Sequence, residues 1–174
     1  MIKFPYGISD FRQIITEGYF YCDRTAAIPL LERGKTQLFI RPRRFGKSLA
    51  LSMLENYYDI ARKDAFDDIF GRLAIGRDPT PLRNSYFILR LDFSCVDPMG
   101  TPEDVKRSLY NHINGCIENF IFYYADNGFD LSRAKVDGGD ALYSIKSLIG
   151  ATAGAGHPVY VLIDEYDNFA NTIM

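Results

Sequence analysis

Three short apolar segments predict β-strands, at residues 37–40, 86–93 and 159–163. The first, after Gln37, and the last are continuous apolar runs, which is typical of parallel strands that are buried on both faces. These strands alternate with longer segments in which apolar residues recur at spacings of three and four, the spacing of a helix face. The alternation predicts an α/β layered fold with a parallel sheet.

Four helices are predicted around these strands, over about 25–33, 47–62, 102–124 and 139–148. Thr25 is the expected N-cap of the first helix, and Pro29 favours a late start or a kink there. The third helix has the clearest beginning, because Thr101 and Asp104 form a capping box and Pro102 takes the first helical position.

The remaining segments are predicted to be mostly irregular. Residues 1–24 mix aromatic and polar side chains, and residues 150–156 are a turn rich in glycine and alanine. Residues 63–85 contain two glycines and two prolines, with one short helix expected near 65–70.

Residues 41–48 read RPRRFGKS and stand between a predicted strand and a predicted helix, which is the setting of a phosphate-binding loop. Gly46 allows the backbone to approach phosphates closely, and the amides at the start of the helix point towards an anion. The Lys47 ammonium can bridge the outer phosphates, and the Ser48 hydroxyl can ligate Mg²⁺. Arg41 occupies the position where the standard pattern has its first glycine.

The basic part of this loop supplies further candidate contacts. Arg43, Arg44 and Phe45 are predicted to lie beside the phosphates, and the two arginines are candidates for acting in cis at the γ-phosphate. The alternative is a chance Gly-Lys-Ser tripeptide in a basic turn.

Two adjacent acids follow the last predicted strand, in the form of a Walker B motif. Asp164 is predicted to hold Mg²⁺, and Glu165 to orient and deprotonate the attacking water. The alternative is a solvated strand end. Asp167 is interpreted as a loop or helix-start acid rather than a third ligand, and Asp92 as a structural or supporting residue.

The composition is that of a globular protein, with 47% hydrophobic and 24% charged residues. A net charge of -2 does not indicate direct binding to nucleic acid. No apolar stretch approaches the roughly 20 residues of a membrane span, and the N-terminus does not resemble a signal peptide. These features predict a cytoplasmic protein.

The three cysteines, Cys22, Cys95 and Cys116, are odd in number and fit no metal-binding spacing. We therefore expect reduced thiols. Neither His112 nor His157 has a cysteine or histidine at ligand spacing, so no metal-binding histidine is predicted.

Three segments carry a resemblance to a known family. Residues 19–25, 38–48 and 162–167 resemble the bacterial AAA-ATPase-like domain, whose motifs read approximately Y-V-D-K-T, R-P-R-R-F-G-K-T/S and L-I-D-E-Y-D. Residues 7–11 also fit the opening of that family, so the resemblance covers nearly the whole chain. It accounts for Arg41, and only Cys22 and Arg24 depart mildly from the pattern.

The resemblance implies a P-loop NTPase core of the AAA+ type, a three-layer α/β/α arrangement that uses ATP and Mg²⁺. Such proteins commonly continue into a nuclease-like domain of the PD-(D/E)XK type, so the implied partners are ATP and that domain or another protein. In the AAA+ strand order, a strand that comes later in the sequence separates the loop strand from the acidic strand. We therefore expect residues 1–174 to be the N-terminal part of a longer domain, with 1–24 as its irregular opening and the sheet incomplete after residue 163.

Three functions remain open. The first is an ATPase motor or switch in which Lys47 and Glu165 are catalytic. The second is a nucleotide-binding regulatory module without turnover, which the expected incompleteness of the sheet favours for this chain. The third is an inactive scaffold remnant. Phosphotransfer to a small molecule is a lesser alternative, because the adjacent acids Asp164 and Glu165 favour activation of water.

Overall fold

The computed structural model describes residues 2–40 and 45–166 of the chain. It divides into two compact units, Met1–Ser85 and Tyr86–Met174, which are described in turn. The first unit is helical in its described part, and the second contains a parallel sheet with helices. A mixed α/β fold is therefore confirmed, while the three-layer P-loop arrangement and the single domain over 1–174 stay predictions.

Among its described residues, the first unit has five short or medium helices. They are α1 (Phe11–Thr16), α2 (Ile28–Leu31), α3 (Lys47–Tyr58), α4 (Phe66–Phe70) and α5 (Ala74–Arg77). Two 3₁₀ segments, Thr25–Ala27 and Ile60–Ala65, precede α2 and α4. The helix expected near 65–70 is confirmed as α4, and the helix predicted from residue 47 ends four residues early, at Tyr58.

Helix α1 lies inside the segment that was expected to be irregular, so that expectation is wrong for Phe11–Thr16. The Asp10 side chain caps the helix by accepting a hydrogen bond from the Gln13 amide at 3.1 Å. Phe11 and Ile14 point from one face of the helix into the core. An N-cap residue three positions before a glutamine was the local signal for this helix.

The start of α2 differs from the prediction. Thr25 does not cap the helix; it lies in the preceding 3₁₀ turn, and its hydroxyl donates to Asp23 Oδ1 at 2.7 Å. The α-helix begins at Ile28 with Pro29 in its first turn, in agreement with the late start expected from that proline.

An aromatic core holds the first unit together. The rings of Phe11 and Phe70 stack with centroids 5.3 Å apart, and Tyr57 meets Phe70 edge-on at 5.4 Å. All three side chains are buried. Burial of each such ring stabilises the fold by about 1.5–3 kcal/mol, and this packing joins α1, α3 and α4.

The strand predicted at residues 37–40 is not formed, since the structure assigns these residues to no strand. Leu38 is 66% and Ile40 80% exposed. An apolar run becomes a strand only when a neighbouring strand completes its backbone hydrogen bonds. The prediction failed because a short apolar run does not by itself supply that neighbour.

The described part of the second unit contains β1 (Phe87–Asp92), a 3₁₀ turn (Phe93–Cys95), α6 (Pro102–Asp126), α7 (Ala141–Gly154) and β2 (Val159–Asp164). The two strands pair directly and in parallel, with Phe87 opposite Val159 and Asp92 opposite Asp164. The parallel pairing that the sequence predicted is confirmed for these two segments.

Both helices of this unit have well-formed N-termini. Thr101 and Asp104 make the predicted capping box at the start of α6. At α7 the Asp140 side chain accepts hydrogen bonds from the Leu142 and Tyr143 amides, each at 3.0 Å. This helix continues to Gly154, so the turn predicted over 150–156 is wrong for 150–154 and confirmed at Ala155 and Gly156. Burial of Ala151 and Thr152 outweighs the poor helix propensity of glycine.

The two faces of β2 differ. Leu162 and Asp164 are buried, whereas Val161 is 48% and Ile163 43% exposed. Burial on both faces of this strand was therefore a wrong expectation. An uninterrupted apolar sequence shows that a strand tolerates burial on both faces, but the packing of other elements decides whether both are covered.

Helix α6 packs on β1 through aromatic rings. Phe87 meets Tyr124 edge-on at 4.7 Å, and the Ile88 amide donates to the Tyr124 hydroxyl at 2.7 Å.

In the described part of the chain, no helix combines the length and apolar character needed to cross a bilayer.

Candidate functional site

The predicted phosphate-binding motif ends in a sharp turn from loop to helix. Gly46 has φ 76° and ψ 27°, in the left-handed region, and its carbonyl accepts the Ala50 amide at 3.0 Å to begin α3. A residue with a Cβ is disfavoured at such a position. Nothing lies within 4 Å of the place where a Cβ would stand, so the backbone conformation is what requires glycine here.

Lys47 and Ser48 occupy the first turn of α3, which has 12 residues. The amides of a first helical turn have no partner inside the helix, and Gly46 has no side chain with which to cap them. The positive end of the helix dipole and these amides attract an anion. Phe45 precedes the turn and is exposed. Arg43 and Arg44, which were expected beside the phosphates, lie outside the described residues.

The body of α3 is attached to the N-terminal segment. The Phe11 amide donates to Ser52 Oγ at 3.0 Å, and the Tyr21 hydroxyl donates to Met53 Sδ at 3.5 Å. These contacts lie one to two turns beyond Ser48, so residues 11–21 support the helix on which the motif is mounted.

The motif at 19–25 has a clear structural role. The Asp23 carboxylate accepts hydrogen bonds from the Thr25 amide at 2.9 Å and the Ala74 amide at 2.7 Å. The Ile75 amide in turn donates to Thr25 Oγ1 at 3.2 Å. Burial raises the pKa of Asp23, but these hydrogen bonds from Thr25 and Ala74 outweigh it, so the net pKa is lowered. Asp23 and Thr25 thereby fasten the segment to the start of α5.

The acidic motif ends β2. Asp164 is only 4% exposed. Its Oδ2 lies 3.5 Å from Arg90 Nη2, and its Oδ1 accepts the Glu165 amide at 3.1 Å. Arg90 was not singled out from the sequence. It is a second charged residue, besides Asp92, in the mainly apolar segment 86–93, and this was the signal that could have found it.

Glu165 is partly buried and has φ 50°, which is uncommon for a residue with a side chain. Such a conformation costs about 1 kcal/mol or more, and it is found often at functional sites. It turns the chain sharply at the end of β2. Asp167, the neighbouring acid, lies outside the described residues.

Asp92 stands opposite Asp164 at the end of β1. Its carboxylate accepts hydrogen bonds from the Ser94 amide at 3.0 Å and the Ser94 hydroxyl at 2.7 Å, which fixes the 3₁₀ turn Phe93–Cys95. This agrees with the structural role predicted for Asp92.

Within residues 2–40 and 45–166, no three His, Cys, Asp or Glu residues are grouped so that they could hold a metal ion.

The structure thus places the candidate residues in two sets. Gly46, Lys47 and Ser48 belong to the first unit, and Asp164 and Glu165 to the second. Within each unit, the motif residues are adjacent at the end of an element: the start of α3 in the first unit and the end of β2 in the second. That the two sets join in one nucleotide site stays a prediction from the sequence.

Comparison with known proteins shows the family to which the chain belongs. The sequence model of the AAA-ATPase-like family, described as "Predicted AAA-ATPase", matches residues 5–174. A stretch of 59 residues is 46% identical to an "Uncharacterized protein in vnfD 5'region" of Azotobacter chroococcum mcd 1. That stretch covers 32% of this chain and 11% of the relative's length. No solved structure matches the chain.

Proposed function

The chain belongs to the AAA-ATPase-like family, and on this premise we propose that it binds ATP with Mg²⁺ and hydrolyses it. The observation that carries the proposal is the turn at Gly46. A left-handed glycine begins a 12-residue helix and sets Lys47 and Ser48 in its first turn, where amides and the helix dipole favour a phosphate.

In this proposal the first unit holds the phosphates. The Lys47 ammonium neutralises the outer phosphates, and the Ser48 hydroxyl is an oxygen ligand for the cation. Arg43, Arg44 and Phe45 extend the same loop, and the arginines contribute positive charge. Gly46, which has no side chain, lets the backbone approach the phosphates so closely that the amides of the loop and of the first turn of α3 donate to them.

The second unit supplies the acids. Asp164 would hold Mg²⁺, and its chemistry fits that ion, which prefers oxygen ligands. A carboxylate has about four lone-pair sites, and the contacts with Arg90 and the Glu165 amide leave some of them available. Mg²⁺, when bound, neutralises charge that develops on the phosphates. Glu165 orients the attacking water and accepts its proton.

One observation favours a second candidate, a nucleotide-binding module without turnover that reports ATP occupancy to a partner. Residues 37–40, which were expected to anchor the loop in the sheet, form no strand, and Leu38 and Ile40 are exposed. Nucleotide binding needs the loop and the first turn of α3, whereas hydrolysis also needs the acids to be held at a fixed position relative to the loop.

The test is an isothermal titration of the chain with ATP and Mg²⁺. We expect saturable binding that is lost in Lys47→Ala and retained in Lys63→Ala, a matched change at an exposed lysine of the same unit. Equal binding by both variants would overturn the proposed phosphate site. Circular dichroism of each variant shows that the chain is folded.

A phosphate-release assay then separates the two candidates. Turnover that is lost in Glu165→Gln with ATP binding retained, and that is unaffected by Glu118→Gln at an exposed position of α6, supports the ATPase. Binding without turnover by the unchanged chain supports the module that only binds.

A further inference from the structure

One face of α6 carries a histidine and a cysteine that are one turn apart. His112 and Cys116 are separated by four positions in this continuous helix, so their side chains lie one above the other. Cys116 Sγ and His112 Nε2 are 3.6 Å apart. The approach of these two atoms is therefore built into the helix itself.

This distance is the one that a tetrahedral metal ion requires. Zn²⁺ binds a cysteine sulfur at about 2.3 Å and a histidine nitrogen at about 2.0–2.1 Å. At the tetrahedral angle, these two bonds place the sulfur and the nitrogen about 3.6 Å apart. Two ligand atoms that already have this separation accept an ion without movement of the backbone, which lowers the cost of binding.

The surroundings of the pair leave room for the other ligands of an ion. Both side chains are partly exposed, and His112 lines an open, polar cavity of about 530 Å³ between α6 and the loop that follows β1. The Phe93 ring meets the His112 ring edge-on at 6.3 Å, on the side of that loop.

Within the described ranges, no third His, Cys, Asp or Glu joins the pair in a metal-binding group. Water or another small molecule therefore takes the remaining coordination positions, as in the open sites of zinc enzymes.

We propose that His112 and Cys116 bind a divalent transition-metal ion such as Zn²⁺, with an imidazole and a thiolate as its protein ligands. Nitrogen and sulfur ligands favour such ions, whereas Mg²⁺ prefers oxygen. The function proposed above does not require this site. The proposal revises the expectation of no metal-binding histidine, because a spacing of four places two ligands on one face of a helix.

Binding exchanges a proton for the ion. The ion takes the position between Sγ and Nε2, and the Cys116 thiol releases its proton to the buffer. His112 binds through the Nε2 lone pair, in the tautomer with its proton on Nδ1. No electron is transferred, so one proton is released for each ion bound.

The experiment titrates the reduced, folded chain with Co²⁺, which takes the same ligands as Zn²⁺ and absorbs light where Zn²⁺ does not. We expect one Co²⁺ per chain and a near-ultraviolet absorption band from the bond between cobalt and thiolate. Zn²⁺ should displace Co²⁺ and remove the band. Excess Mg²⁺ should leave the band unchanged, which separates this site from the one proposed for ATP.

Variants assign the band to its ligands. Cys116→Ser should lose the band, whereas the double variant Cys22→Ser, Cys95→Ser should keep it, because those thiols are exposed and belong to no metal-binding group among the described residues. His112→Gln should weaken Co²⁺ binding by about tenfold or more. His157→Gln is the matched control and should bind Co²⁺ as the unchanged chain does. Circular dichroism of each variant shows that it is folded.

Three outcomes would overturn the proposal. The first is a folded, reduced chain that gives no thiolate band with excess Co²⁺. The second is a band that persists in Cys116→Ser or disappears in the double variant, because either result assigns the ion to an exposed thiol. The third is equal Co²⁺ affinity in His112→Gln and His157→Gln, which would leave Cys116 without its proposed partner.

Discussion

Arg90 Nη2 lies 3.5 Å from Asp164 Oδ2, so a guanidinium in β1 faces the buried carboxylate at the end of β2. The register pairs Arg90 with Leu162, which makes Arg90 and Asp164 diagonal neighbours on one face of the sheet. A buried carboxylate is costly without such a partner. Arg90 therefore stabilises the residue that we propose to hold Mg²⁺.

Replacing this arginine should destabilise the protein. We expect Arg90→Met to lower the free energy of unfolding by about 1–2 kcal/mol, because Asp164 loses a charged partner where water is largely excluded. Urea denaturation followed by circular dichroism measures the change. The matched control is Arg107→Met, since Arg107 is exposed and pairs with Asp104 at the surface. Equal losses in both variants would argue against a special role for the Arg90–Asp164 pair.

Gly46 offers a test of the turn that begins α3. We expect Gly46→Ala to destabilise the fold by about 1–2 kcal/mol, because alanine is strained at φ 76° even though space for its Cβ is available. Gly115→Ala is the control, since Gly115 is inside α6 and also has open space. There alanine should stabilise by about 0.5–1 kcal/mol. The same sign for both substitutions in thermal unfolding would contradict the left-handed turn.

The lowered pKa of Asp23 predicts that the stability of the fold depends on pH. Its pKa in the folded chain is below the ordinary carboxylate value, because hydrogen bonds from Thr25 and Ala74 outweigh the effect of burial. The stabilisation by the ionised form is therefore complete above the unfolded-state pKa of about 4, and it is lost as the pH falls through the lower folded value. Asp23→Asn should have a lower urea midpoint than the unchanged chain at pH 7.

That difference should shrink as the pH falls below about 4, where the unchanged chain also loses its carboxylate charge. Urea titrations of both chains between pH 7 and pH 2.5 measure it. A gap that stays constant over this range would show that the charge of Asp23 contributes nothing to stability.

Tyr124 accepts a hydrogen bond from a backbone amide of β1. The Ile88 amide donates to its hydroxyl at 2.7 Å, and the Tyr124 side chain is fully buried. Tyr124→Phe keeps the ring but leaves this amide without its acceptor, so we expect a loss of about 1–3 kcal/mol in urea unfolding. Tyr143→Phe, at an exposed position of α7, should have no measurable effect. In amide hydrogen exchange, Ile88 should lose protection only in the Tyr124 variant.

Local features of the fold were readable in the sequence. Thr101 and Asp104 cap α6 as predicted, because a capping box involves only residues within one helical turn. The segments 86–93 and 159–163 form strands close to their predicted bounds. Errors arose where packing outweighs local preference, as in α7, which continues through Gly150 to Gly154.

In the candidate site, too, some features were predicted from local sequence and others depend on tertiary packing. The candidate residues Lys47, Ser48, Asp164 and Glu165 stand out by type and spacing alone, since a phosphate loop and an acidic strand end are recognised from residues that are close together in the chain. The sequence could not show Arg90 beside Asp164, because their proximity depends on which residues of β1 and β2 are paired.

The sequence by itself determined the family, the phosphate-loop and acidic motifs, and the helix caps, all of which depend on residues that are close together in the chain. Only the tertiary structure decided that β1 pairs directly with β2, that residues 37–40 form no strand, and that Arg90 lies beside Asp164. Each of these depends on contacts between distant segments. Their free energy comes from the combined packing of many side chains, which no local pattern specifies.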